Sequence, residues 1–126
     1  MKKIFLFLTM IAFSAAACQS QDTVQNDRKI VVLTPPAYKE KIENGTKVQL
    51  VDVRTSAEYQ AGHIGDAANI DYLAEDFKQK IQTLNKNQPV YVYCQVGGRS
   101  SKAAKAMQAL GFREIYDLQG GYMAWR

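Results

Sequence analysis

The stretch Cys94-Gln95-Val96-Gly97-Gly98-Arg99-Ser100 decides the predicted fold of this chain. It follows an alternating run of apolar and β-favouring residues over 89–93, which predicts a short strand. Apolar and small residues then recur at helical spacing over 100–110, which predicts a helix. A glycine-bearing turn between a strand and a helix start is typical of an anion-binding site.

Cys94 is the candidate nucleophile of this site. Gly97 and Gly98 allow the backbone to bend so that N–H groups point inward, and Arg99 adds a positive charge at the rim. These features favour the thiolate, which is the reactive form of cysteine. The alternative is that Cys94 is a small buried apolar residue at a strand end. The glycine pair, the arginine and the following helix together favour the nucleophile.

Strand and helix patterns alternate through the rest of the chain. The predicted strands cover 30–33, 48–53, 67–70, 89–93 and 114–116. The predicted helices cover 35–44, with Thr34 as the N-cap and Gly45 as the stop, and then 56–61, 73–84 and 100–110, and a terminal turn or helix covers 121–126. This alternation predicts an α/β fold, a small parallel five-stranded sheet with helices on both faces. Cys94 then lies at the carboxyl end of a strand, where such sheets bind ligands.

The residues before this domain are predicted to be a leader and a tether. Residues 1–17 combine Lys2 and Lys3 with a short apolar centre and a run of small residues, the pattern of a bacterial signal peptide. The apolar centre is shorter than the roughly 20 residues that a membrane-spanning helix needs. Residues 18–27 are mostly polar and lack periodicity, which predicts a flexible tether before a single domain at 28–126.

The junction Ala15-Ala16-Ala17-Cys18 resembles the lipobox of bacterial lipoproteins. The resemblance implies lipidation of Cys18 and anchoring through this lipid to a bacterial membrane, on the extracytoplasmic, periplasmic side. Ala15 stands where the lipobox usually has Leu, and the same alanines fit an ordinary A-x-A cleavage that leaves Cys18 unmodified. We expect lipidation because one of only two cysteines falls at this junction.

Composition excludes several other functions. Hydrophobic residues make up 47% of the chain and charged residues 22%, as in an ordinary globular protein. The net charge of +4 falls to +2 without Lys2 and Lys3, and no basic stripe with interleaved aromatic residues is visible. Nucleic acid is therefore not an expected partner, and no metal or cofactor is predicted.

Three stretches resemble the rhodanese (sulfurtransferase) domain, in the order that this family has them. Residues 52–64 match D-V-R-x-x-x-E-[FY]-x-x-G-H-I, and residues 94–100 match the active-site loop C-x-x-G-x-R-S. Residues 111–112 and 118–125 match the ending G-[FY]…L-x-G-G-x-x-x-W. The chain departs after Ile64, where Gly65-Asp66-Ala67 replaces the usual x-Gly-Ala. The resemblance covers about residues 30–125 and implies the same five-stranded fold.

The resemblance also implies a two-step sulfur transfer through Cys94. The thiolate would take a sulfane sulfur from a small sulfur-containing anion such as thiosulfate, releasing sulfite and leaving a persulfide. A thiol or cyanide acceptor would then remove that sulfur. The expected substrate-binding residues, whose backbone N–H groups would hold the negative persulfide, are Gln95, Val96, Gly97, Gly98, Arg99 and Ser100.

Asp52, Arg54 and Glu58 are expected to brace this loop. Arg54 and Glu58 are four residues apart, so on one helical turn they can pair. Arg99 either attracts the anionic donor or forms an ion pair with Glu58 or Asp52. His63, the single histidine, is expected to be a packing or hydrogen-bonding residue rather than a catalytic one.

Two other functions compete with sulfur transfer. Protein tyrosine phosphatases also place a cysteine and an arginine around an anion, but their loop is one residue longer than the one between Cys94 and Arg99. The shorter loop predicts a smaller cradle, suited to one additional sulfur atom. The other alternative is a non-catalytic sulfide-carrier or protein-interaction module, and the presence of Cys94 speaks against an inert one.

Replacing the candidate lipidation residue tests the predicted anchor. The full-length product should partition into detergent and carry added mass at Cys18, and Cys18→Ser should release it from the membrane or block its maturation. Membrane fractionation and intact-protein mass spectrometry measure both effects. A soluble wild-type product that begins with an unmodified Cys18 would contradict the lipoprotein prediction.

Overall fold

The computed structural model describes residues 28–44 and 47–126. The predicted leader, the tether with Cys18 and the stop at Gly45 lie outside these residues. Within the described ranges, every helix is too short or too polar to cross a membrane.

In the part of the chain that the structure describes, five strands and five helices alternate, as predicted. The strands are β1 (Lys29–Leu33), β2 (Gln49–Asp52), β3 (Ala68–Asn69), β4 (Val90–Tyr93) and β5 (Glu114–Leu118). The helices are α1 (Pro35–Glu43), α2 (Ser56–Gln60), α3 (Phe77–Ile81), α4 (Gly98–Ala109) and α5 (Gly121–Trp125).

The strands form one parallel sheet in the order β1-β5-β4-β2-β3. This confirms the predicted α/β class. Because all pairs are parallel, the carboxyl ends of all five strands lie at one edge. β4 lies at the centre between β5 and β2, and all four of its residues are buried. The segment after β4 therefore begins in the middle of the sheet's carboxyl edge.

Helices cover both faces of the sheet, and each face has its own core. On one face, α3 and α4 pack Phe77, Ile81 and Met107 against apolar residues of β2, β4 and β5. On the other face, Tyr38 of α1 packs with Tyr91 and Tyr116 of the sheet, and residues of α2 and α5 complete this cluster. The apolar residues thus enclose the sheet from both sides.

Two predicted helices differ from those observed. The helix expected over 73–84 is only Phe77–Ile81, because the preceding residues form turns in which Leu73 N–H donates to the Asp71 side chain at 2.9 Å. Leu73 is 66% exposed, so it does not belong to the apolar face that the spacing suggested. The helix expected from residue 100 begins at Gly98, which places Arg99 in its first turn. Thr34 holds the N-cap position of α1, but its side chain makes no capping hydrogen bond.

Two buried tyrosines offer a matched test of the core. The Tyr38 hydroxyl is buried without a partner among the described residues, whereas the Tyr93 hydroxyl oxygen accepts the Ile64 N–H at 2.9 Å. Tyr38→Phe should leave the free energy of unfolding unchanged or raise it, because it removes an unsatisfied polar atom. Tyr93→Phe should lower it by about 1–3 kcal/mol, because it orphans a buried N–H. Urea denaturation measures both, and a larger loss for Tyr38→Phe would contradict this description of the core.

Candidate active site

The predicted nucleophile lies at the central carboxyl end of the sheet. Cys94 directly follows β4 and is 1% exposed. The chain then turns at Gly97, whose φ of 113° is in the region that favours glycine. This turn brings the Gly97 N–H to 3.0 Å from Cys94 Sγ, to which it donates a hydrogen bond. A donor at that distance stabilises a negative sulfur more than a neutral one.

Ser100 contacts the same sulfur from the first turn of α4. Its side chain is fully buried, and its Oγ lies 3.4 Å from Cys94 Sγ, where it can accept the thiol proton. The Ser100 hydroxyl also donates to the Gly97 carbonyl at 3.2 Å. The sulfur is therefore held between the backbone turn and the beginning of a 12-residue helix, whose N-terminus favours negative charge.

The segment after β5 supports the other side of the loop. Tyr122 N–H donates to the Cys94 carbonyl at 2.8 Å, and Met123 N–H donates to the Gln95 carbonyl at 3.1 Å. A Cβ at Gly121 would lie 2.5 Å from the Cys94 carbonyl oxygen, and the φ of Gly121 is 64°. Only glycine allows this close approach, so the glycine of the closing motif serves the loop directly.

Arg54 braces the loop through partners that differ from the one predicted. Its guanidinium binds the Asp52 carboxylate, with Nη2 to Oδ2 at 2.6 Å, rather than Glu58. The predicted pairing with Glu58 is wrong because α2 begins at Ser56, so Arg54 precedes the helix and shares no helical face with Glu58. Arg54 also donates to the Gln95 side chain at 3.0 Å and to the Gly62 carbonyl at 2.6 Å.

Glu58 forms an ion pair with Arg99. The sequence had left open whether Arg99 attracts the anionic donor or pairs with a carboxylate. Arg99 Nη1 and Nη2 donate to the two carboxylate oxygens at 2.7 and 2.9 Å. Glu58 also accepts the backbone N–H of Thr55, which completes a capping box at the start of α2. The hydrogen bonds from Arg99 and Thr55 lower the pKa of Glu58 to about 2. The loop is thereby tied to α2 by a two-pronged ion pair.

The remaining predicted residues occupy different positions. Val96 is 68% exposed at the tip of the loop, and Gly98 opens α4. A cavity of about 250 Å³ opens beside the loop, and its lining includes Arg54, Glu58, Gln95, Tyr122 and Arg126. A larger cavity of about 380 Å³ is lined by His63 and Trp125 but by no residue of the loop.

His63 has a structural environment away from Cys94. Its ring stacks on Tyr59 with centroids 3.8 Å apart, and its Nδ1 is 3.0 Å from the Tyr59 carbonyl oxygen. Among residues 28–44 and 47–126, no three His, Cys, Asp or Glu side chains form a group that could hold a metal ion.

Sequence reasoning missed Asp117 of β5, which lies in register with Val92 of β4. It is 5% exposed, and burial raises its pKa to about 6, while interaction with the Ser100 hydroxyl opposes that rise. The predicted strand ended at residue 116, whereas β5 continues to Leu118 and so includes Asp117. An acidic residue between Tyr116 and Leu118 was the available signal, since ionisable residues are rarely buried without a partner.

Removing the charge of Glu58 tests the brace. Glu58→Gln keeps a side chain that can complete the capping box but loses the ion pair with Arg99, which should lower the free energy of unfolding by about 1 kcal/mol near neutral pH. The pKa of Glu58 is lower in the folded protein than in the unfolded chain. The difference in free energy of unfolding between wild type and Glu58→Gln should therefore have its full size above pH 4.5 and disappear as the pH falls to about 2. Denaturation at several pH values measures it.

Asp76→Asn is the matched control, because Asp76 pairs with Lys80 at 3.0 Å on an exposed helix surface. Its effect should be a few tenths of a kcal/mol. A Glu58→Gln effect that is no larger than the control, or that does not depend on pH, would contradict the bracing role.

Known proteins share this fold and its motifs. The sequence profile of the Rhodanese-like domain family matches residues 34–126. The chain is 36% identical over 94 residues to "Thiosulfate sulfurtransferase GlpE" of Pseudomonas fluorescens, covering 73% of this chain and 82% of that protein. It is 42% identical over 79 residues to "Uncharacterized protein YqhL" of Bacillus subtilis, covering 63% of this chain and 61% of YqhL.

A solved structure agrees with these sequence matches. The rhodanese-like domain protein of Staphylococcus aureus superposes with a TM-score of 0.69 at 31% identity, covering 76% of this chain and 91% of that one. The family match covers the sheet from α1 onward and includes Cys94, its loop and both bracing ion pairs. The chain therefore belongs to the rhodanese-like domain family.

Proposed function

We propose that this chain is a sulfurtransferase that carries sulfur as a persulfide on Cys94. The donor is a small sulfur-containing anion such as thiosulfate, and the acceptor is a thiol or cyanide. Membership of the rhodanese-like family and similarity to a relative named thiosulfate sulfurtransferase support sulfur transfer. The observation that carries the proposal is the 3.0 Å hydrogen bond from the Gly97 N–H to Cys94 Sγ, at the start of α4.

The first step forms the persulfide. The Cys94 thiolate attacks the sulfane sulfur of thiosulfate, the sulfur–sulfur bond of thiosulfate breaks, and sulfite leaves with the bonding electron pair. The negative charge moves from Sγ to the terminal sulfur of the persulfide. Backbone N–H groups of residues 95–100 hold that charge, with Gly97 already directed at the sulfur.

The second step regenerates the enzyme. A thiolate or cyanide attacks the terminal sulfur, and Cys94 leaves as a thiolate that the same donors stabilise. Neither step needs an oxidant or a cofactor, because the sulfane sulfur passes between nucleophiles. Cys94 is thus both the nucleophile of the first step and the leaving group of the second.

The ion pair between Arg99 and Glu58 favours a loop that holds a persulfide over one that binds a phosphate. Two guanidinium nitrogens of Arg99 are bound by Glu58, at 2.7 and 2.9 Å, and the backbone turn provides the donor nearest to Cys94. A phosphate would need more donors around a larger tetrahedral anion. In this proposal Arg99 braces the loop.

We also propose that the enzyme works outside the cytoplasm, held at a bacterial membrane by a lipid on Cys18. The support is the signal-like sequence of residues 1–17 and the lipobox-like junction that follows it. The tether of residues 18–27 would then let the domain reach its substrates near the membrane surface.

Mass spectrometry tests the sulfur transfer directly. Thiosulfate should add one sulfur, about 32 mass units, to the reduced protein, and cyanide should remove it, because the intermediate is covalent. Cys94→Ser should abolish both changes, whereas Cys18→Ser, the matched control at the other cysteine, should retain them.

Two outcomes would contradict the proposal. A folded wild-type protein that gains no sulfur from thiosulfate or other sulfane donors would be a binding module instead. Hydrolysis of an aryl phosphate that is lost in Cys94→Ser would assign the loop to phosphate chemistry.

A further inference from the structure

The anionic end of the sulfur donor has no binding partner in the two steps described above. Arg99 gives both terminal nitrogens to Glu58, at 2.7 and 2.9 Å. Arg54 is held in a similar way by Asp52, with Nη2 to Oδ2 at 2.6 Å. A negative Cys94 thiolate and an anionic donor repel each other, so a further cation beside the loop would assist their approach.

Arg126 places such a cation on the wall of the cavity of about 250 Å³ beside the loop. Its side chain is exposed, and no carboxylate among the described residues forms an ion pair with it. Glu58 lines the same cavity but is already paired with Arg99. Gln95, which directly follows Cys94, also lines this cavity, so the cavity reaches the loop within one residue of the nucleophile.

The contacts of Arg126 orient its guanidinium and leave its charge in place. The guanidinium lies over the Tyr122 ring, 5.5 Å from the centroid, and Nη2 donates to Met123 Sδ at 3.3 Å. An aromatic face and a thioether attract a cation without carrying a negative charge. The backbone N–H groups of Tyr122 and Met123 also donate to the carbonyls of Cys94 and Gln95. The residues that hold Arg126 are therefore the ones that support the loop.

Most of the hydrogen-bonding capacity of Arg126 is unused. A guanidinium has five N–H groups in one plane. Within the part of the chain that the structure describes, the side chain donates only to Met123. The other N–H groups fit two oxygen atoms of one anion, as in arginine contacts with carboxylates and phosphates. The sulfonate oxygens of thiosulfate offer the same arrangement, on the sulfur atom next to the sulfane sulfur.

We propose that Arg126 binds the anionic end of the sulfur donor and makes the site selective for anionic donors over neutral ones. This inference rests on the function proposed above. Arg126 holds the sulfonate oxygens while Cys94 Sγ forms its bond to the sulfane sulfur. The sulfur–sulfur bond of thiosulfate breaks, and sulfite leaves with the electron pair. The negative charge on the sulfite oxygens increases in this step, so the guanidinium stabilises the leaving group as well.

Alkylation of Cys94 tests the anion preference without requiring sulfur transfer. Iodoacetate and iodoacetamide have nearly the same size and differ in charge, so the ratio of their rate constants at Cys94 measures the preference for an anion. The neutral reagent corrects for any change in the reactivity of the thiolate. Arg126→Gln should lower the ratio about fivefold, whereas Arg126→Lys, which keeps the charge, should retain most of it. Mass spectrometry of the Cys94 peptide measures both rates.

Arg113→Gln is the matched control for the loss of one positive charge. Arg113 is exposed and directly precedes β5, so it lies at the amino edge of the sheet, opposite the loop. This variant should keep the wild-type ratio, and added salt should lower the ratio in the wild type. An unchanged ratio in Arg126→Gln, or an equal loss in Arg113→Gln, would overturn the proposal.

The rate of sulfur addition separates this proposal from the proposed function. Arg126→Gln should slow the addition of sulfur to Cys94 from thiosulfate more than from an uncharged organic trisulfide. Equal rates for wild type and Arg126→Gln with thiosulfate would overturn the role of Arg126 and leave the sulfurtransferase standing. A reduced iodoacetate preference in Arg126→Gln, in a protein whose wild type gains no sulfur, would retain the anion site and reject the sulfurtransferase.

Discussion

The buried contact between Arg54 and Asp52 is the interaction on which the active-site loop depends. Arg54 is 2% exposed, and one guanidinium joins the end of β2, the Gly62 carbonyl after α2 and the Gln95 side chain in the loop. Burying such a pair carries a large desolvation cost, so it is weak evidence for stability by itself. The pair instead fixes the position of the loop, because a planar guanidinium with several fixed partners allows the loop few alternative conformations.

Arg54 and Arg99, the two arginines that hold the loop, are each paired with a carboxylate. Asp52 binds Arg54, and Glu58 binds Arg99, so both arginines hold the loop in place. A negative sulfur then relies on the Gly97 N–H and on the beginning of α4. Fixed backbone dipoles need no reorganisation during a reaction, which suits the alternation between thiolate and persulfide that we propose for Cys94.

The fold and the position of Cys94 at the carboxyl end of β4 were predictable because their signals are local. Alternation over 89–93 and the glycine-bearing turn after Cys94 are contiguous in the sequence. The helix expected over 73–84 was wrong because Leu73 fits helical spacing although its backbone is held in a turn by Asp71. Residue spacing alone could not show that tertiary structure overrides the pattern there.

The sequence predicted which residues belong to the site better than it predicted which of them contact one another. Arg54 and Glu58 have helical spacing, but the helix starts between them, so each finds its partner through the fold. The position of Asp117 beside Val92 depends on β5 lying beside β4, strands that are separated in sequence by a whole helix. Contacts of this kind follow from sheet order, which sequence periodicity does not specify.

A crystal structure of the thiosulfate-treated protein tests the central claim most directly. The account predicts one additional sulfur atom on Cys94 Sγ, enclosed by the turn of residues 95–100 and within hydrogen-bond distance of its N–H groups, with both arginine ion pairs unchanged. An unmodified Cys94 in fully reduced, treated crystals, or a persulfide sulfur directed away from these N–H groups, would contradict it.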